Sequence, residues 1–167
     1  MGSSKRFWPV SGAALLVAGA AHAQVTCIPI DEIDVTGITL LSQMVVDGAL
    51  SPFRGQCLDI EGINGALEAI TFLYVDQGYV TARAYLPEQS IADRSLEITV
   101  VEGELSTVRF NGEERPVWEA IVYPALRGKS ANLREIEQGL EIIRGMPAYN
   151  ATMEISAGEE EGQSVLD

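Results

Sequence analysis

Apolar and polar positions alternate from Ile28 to Gly37, with Ile33 and Val35 set against Asp34 and Thr36. The segment predicts a strand that Gly37 ends. Leu40 to Leu50 is mildly helical, and Ser51-Pro52 and Gly55 mark a loop carrying Cys57. Ile60, Ile63, Leu67, Ile70 and Tyr74 then recur at helical spacing, with Asp59 as N-cap and Gly78 as the stop. Tyr79 to Leu86 alternates again. Val80, Ala82, Ala84 and Leu86 fall on one face, and Thr81, Arg83 and Tyr85 on the other. Pro87 ends that strand, and Leu96, Ile98 and Val100 form another before Glu102-Gly103. The order is strand, helix, helix, strand, strand.

The pattern then restarts. Leu105 to Phe110 predicts a strand, Val117 to Leu126 a helix opened by Pro116, and Asn132 with Glu135 a capping box. Leu133, Ile136, Leu140 and Ile143 supply the stripe of that second helix. Ala151 to Ile155 and a segment from Ser164 are the last two strands. Gly37 and Gly112 stand 75 positions apart, and Ile63/Leu67 and Ile136/Leu140 stand 73 apart, which marks a tandem repeat. The expected fold class is α+β, with two β-α-α-β-β units, each a three-stranded mixed sheet carrying two helices on one face. The third strand of the second unit begins at Ser164 and has only the four residues to Asp167, so the second unit reads as incomplete and the chain as a fragment.

Composition narrows the setting. The 167 residues carry 24 acidic and 11 basic side chains, a formal net charge of −13, which argues against nucleic-acid phosphates and anionic lipid as partners. Lys5 and Arg6, the apolar run Val10 to Ala20 and the small residues of Ala21-His22-Ala23 read as a signal peptide over residues 1–23. The alternative is an uncleaved anchor, but eleven residues reach only about 16 Å as a helix, roughly half the hydrocarbon core. Cleavage before Gln24 removes His22, the one histidine, and with it every imidazole mechanism. Cys27 and Cys57 are then an even pair in an oxidising compartment and read as one disulfide, with free thiols as the alternative.

Chemistry is sparse. Asp31, Glu32 and Asp34 lack calcium-loop spacing, and Glu159-Glu160-Glu161 reads as a solvated turn. Trp118 and Phe72 lie in helices and are expected in the core. No enzyme activity, metal or cofactor is expected.

The stretch Gly78-Tyr79-Val80-Thr81-Ala82-Arg83-Ala84-Tyr85-Leu86-Pro87-Glu88-Gln89, followed by Leu96-Glu97-Ile98-Thr99-Val100-Val101-Glu102-Gly103, closely resembles the first POTRA domain of two-partner secretion transporters, the hemolysin-activator and filamentous-hemagglutinin family. Leu133 to Leu140 and Met146-Pro147 resemble the second. The paired cysteines also resemble that family. The resemblance implies residues 24–103 as POTRA domain 1 and 104–167 as POTRA domain 2. It implies an outer-membrane β-barrel pore downstream, location on the periplasmic face, and an unfolded secreted hemolysin- or adhesin-type partner. No barrel sequence is present, and no room precedes the first strand for an N-terminal plug helix.

A bare sheet edge accepts an extended chain by strand addition. The expected edge is Val80, Thr81, Ala82, Arg83, Ala84, Tyr85 and Leu86, beside helix Leu40–Leu50, with Arg83 guiding a polar segment of the client and Tyr85 stacking on it. The contrary reading makes Arg83 a solvated guard and Tyr85 plain surface cover. Rival functions are a periplasmic docking adaptor without a pore, and an exported enzyme working through paired carboxylates.

Overall fold

A computed structural model describes residues 27–167, so the signal segment expected at 1–23 lies outside the described residues. The first unit contains β1 (Ile28–Ile30), β2 (Glu32–Thr36), α1 (Gln43–Leu50), β3 (Gln56–Leu58), α2 (Ile60–Asp76), β4 (Arg83–Tyr85) and β5 (Ser95–Val101). The second contains β6 (Glu104–Val108), α3 (Pro116–Val122), α4 (Leu133–Arg144), β7 (Ile155–Ala157) and β8 (Gln163–Leu166). Each unit has a mixed sheet in which the last strand lies in the middle, ordered β2-β5-β4 and β6-β8-β7. The first strand of each is parallel to the central one and the other edge antiparallel.

Helix α2 forms where its period predicts. Asp59 accepts from the Gly62 amide at 2.8 Å, and Ile63, Ala66, Ile70 and Tyr74 turn into the core. They pack on Ile33, Ala82, Leu96, Ile98 and Val100 of the sheet layer. In the second unit Leu105, Val108, Tyr123, Ile136, Ile143 and Leu166 form a separate core. Gly139 lets α4 approach Tyr123, since a Cβ there would enter the phenol ring, and the Tyr123 hydroxyl donates to the Ile136 carbonyl at 3.2 Å.

Four expected segments differ. The strand from Ile28 to Gly37 is split at Asp31, because β1 leaves to pair antiparallel with β3 beside the Cys27–Cys57 disulfide. The strand expected over Tyr79 to Leu86 is ladder-paired only over Arg83–Tyr85. Gly78, at φ +94°, turns the chain, and the amides of Tyr79, Val80 and Ala82 are used by Tyr74, Gly78 and Tyr79 carbonyls. Helix α3 stops at Val122, short of Leu126. Tyr123 precedes Pro124, and a residue before proline is driven from the helical region. The seventh strand begins at Ile155, where the expected one ends, because Glu154 and Asp167 exchange backbone bonds that fix the register.

A candidate client-binding edge

Strand β4 is an outer strand, so one of its sides has no ladder partner. Arg83 and Tyr85 oppose Val101 and Thr99, while the Ala84 amide points off the sheet toward the Thr71 hydroxyl at 3.3 Å. The Arg83 guanidinium folds back onto the Val80 and Ala82 carbonyls at 2.9 and 2.7 Å. The rim is therefore lightly covered by side chains rather than by another strand. Where the ladder ends, Gln89 takes over: its side-chain amide donates to the Glu97 carbonyl and accepts from the Glu97 amide, both at 2.8 Å.

The seven expected residues divide. Ala82 is fully buried and Ala84 packs partly against the core. Arg83 is exposed, and Tyr85 is 48% exposed. Leu86, expected on the apolar face, is 42% exposed just past the strand. Val80 and Thr81 belong to the turn, not the strand. The Thr81 hydroxyl is buried against Gly103 without a hydrogen-bond partner. The flanking helix also differs from the expected one. Thr71 of α2, not α1, faces β4, and Val75 one turn on is 41% exposed. Phe72, expected in the core, is 70% exposed.

The opposite edge is guarded differently. Arg54 donates to the Ile33 carbonyl of β2 at 3.2 Å and to Asp47 of α1 at 2.7 Å. The bond from Arg54, then that from Gln43, holds the Asp47 carboxyl below its usual range. Asp31, Glu32 and Asp34 line the same cleft. In the second unit the outer side of β6 is closed at Leu105, which exchanges bonds with Gly128 and Lys129.

Sequence reasoning missed one polar cluster. Glu102, at the end of β5, accepts from the Thr39 amide at 2.7 Å, the Leu40 amide at 2.8 Å, the Tyr74 hydroxyl at 2.8 Å and the Thr39 hydroxyl. Burial alone would raise its carboxyl, but these donors hold it below the ordinary value. Burial, and then the bond to Glu102, pushes the Tyr74 phenol up. The cluster ties the loop before α1 to the junction between units and positions no reacting group.

Residues 28–103 match the POTRA domain, ShlB-type, and residues 104–157 match a further POTRA domain. The chain is 38% identical over 148 residues to the outer membrane transporter CdiB of Escherichia coli O6:K15:H31, covering 88% of this chain and 25% of that protein. It is 31% identical over 165 residues to the hemolysin transporter protein ShlB of Serratia marcescens, covering 97% of this chain and 29% of that protein. The solved structure of CdiB from Escherichia coli superposes with a TM-score of 0.80 at 37% identity, over 92% of this chain and 28% of the other. The chain thus spans about a quarter of the length of the curated relatives it matches. Among the described residues no helix is long and apolar enough to cross a membrane, which says nothing of a β-barrel. The sheet order, the buried stripes and these matches together make the chain a tandem pair of POTRA domains, the first of the ShlB type, homologous to outer-membrane transporters of two-partner secretion.

Proposed function

We propose that this chain is the periplasmic, client-recognising segment of a two-partner secretion transporter. It binds an unfolded secreted partner of hemolysin or adhesin type by strand addition and feeds it to a barrel pore. On this reading residues 1–23 are removed on export, 24–103 and 104–167 are the two POTRA domains, and the role is binding rather than catalysis. The observation that carries it is β4. It is a sheet edge whose outward amide at Ala84 donates only to the Thr71 hydroxyl, at 3.3 Å, with exposed Tyr85, Leu86 and Val75 around it. A client backbone replaces that bond with better-aligned ones, each worth about 1 kcal/mol net. Tyr85 and Leu86 add apolar contact, and Arg83, once released from its own carbonyls, meets polar groups of the client.

Ala84→Pro tests this directly. The Ala84 amide takes no part in the β4–β5 ladder, so proline there removes the outward donor and leaves the sheet intact. The assay is capture of the urea-unfolded N-terminal segment of the hemolysin- or adhesin-type protein that this transporter is proposed to export. Capture is expected to fall at least about tenfold, the loss of roughly 1.4 kcal/mol. Undiminished capture by a variant with unchanged circular dichroism and thermal midpoint overturns the edge assignment.

A further inference from the structure

The junction between the domains is built from two helix ends. The C-terminal end of α2 leaves the carbonyls of Gln77 and Gly78 free of the helix ladder, and the N-terminal end of α4 leaves amides in need of acceptors. In this structure the two ends satisfy each other. The Leu133 amide donates to the Gly78 carbonyl at 2.8 Å, and the Asn132 side-chain amide donates to the Gln77 carbonyl at 3.2 Å. The same Asn132 side chain accepts from the Arg134 amide at 3.0 Å, so one residue caps α4 and closes α2 at once. Tyr79 and Asn132 also form a β-bridge across the boundary. The negative end of one helix dipole thereby meets the positive end of another. Gly78 is required here: its φ is +94°, and a Cβ would press on Asn132 Oδ1 at 3.0 Å.

We propose that this splice, with Asn132 as its positioning residue, fixes the two POTRA domains as one rigid body, so that they meet a client at a set angle. The inference concerns the frame of the molecule and does not depend on which edge the client uses.

The double variant Asn132→Asp/Leu133→Pro isolates it. Aspartate keeps the acceptor that caps α4 and loses the donor to Gln77. Proline is favoured at the first helical position and removes only the amide that reaches Gly78. Both domains are therefore expected to stay folded. The readout is ¹⁵N relaxation of the intact chain, domain by domain. Wild type is expected to give one rotational correlation time for both domains. The variant is expected to give two times, each shorter than the shared value by roughly a third or more, with the amide shifts in each sheet unchanged. Two separate times in wild type, or one shared time in a folded variant, overturns the proposal. If the double variant unfolds the second domain, Gly78→Ala, which disturbs the splice from the α2 side, must separate the two times for the proposal to stand.

Discussion

Glu102 collects four donors from residues far along the chain, and its carboxyl titrates below the ordinary value. A carboxyl depressed in the folded state stabilises it above the unfolded value of about 4.3, and that contribution is lost as pH falls through the folded value. Glu102→Gln keeps one oxygen for the Thr39 and Leu40 amides and the Tyr74 hydroxyl, but removes the charge and turns an NH2 group toward the Thr39 hydroxyl. It is expected to cost about 2 kcal/mol at pH 7, read by urea unfolding, with the gap to wild type narrowing at about pH 3. A constant gap across that range would show that charge is not what holds the loop. At this scale legibility followed sequence distance. Asp59 and Asn132 were readable as caps because each serves an amide two or three residues away. Glu102 was not, because its partners at Thr39 and Leu40 lie 63 and 62 residues away.

Helix α2 was legible because its period repeats over 17 residues, long enough for one face to be identified. Strands of three residues carry no period. Where β1 and β4 begin and end was decided by β3 and by the turn after Gly78, and neither partnership is written in the local alternation. The choice of flanking helix failed for a related reason: both helices of the first domain have an apolar stripe, and only the packed structure puts Thr71 against Ala84. The short pairing of β1 with β3 depends on its covalent neighbour. The Cys27–Cys57 bridge closes a separation of 30 residues, worth about 3.5 kcal/mol in the chain-entropy description. Reduction is expected to lower the unfolding free energy of the first domain by that amount, read as a lower urea midpoint at unchanged m, and to expose the β1 amides to hydrogen exchange. The second domain, which has no cysteine, should be unchanged.

For the molecule as a whole, the repeat read from the glycines survives as geometry. Gly37 directly follows β2, whereas Gly112 lies four residues past β6 in the Phe110–Glu113 turn rather than ending the strand as expected, yet the two take nearly the same φ, +80° and +78°. The join between the repeats was not legible, since it requires the end of one helix to lie against the start of another. The net charge of −13 acts on the entire body, and the ion pairs of the described residues, such as Arg127 with Glu114 and Glu119, are mostly exposed. Exposed pairs contribute little, while like-charge repulsion is general. Raising NaCl from about 20 to about 300 mM is therefore expected to raise the urea midpoint, as the screening length falls below domain size. A lower midpoint would mean that the arginine pairs outweigh the repulsion.

The brevity of the three-residue β4 has a mechanical corollary. A segment laid along so small a rim gains only two or three main-chain bonds, a hold of a few kcal/mol at most. Such a latch opens by thermal motion alone within fractions of a second. On the proposed reading, a secreted client is gripped, released and gripped further along by such a rim.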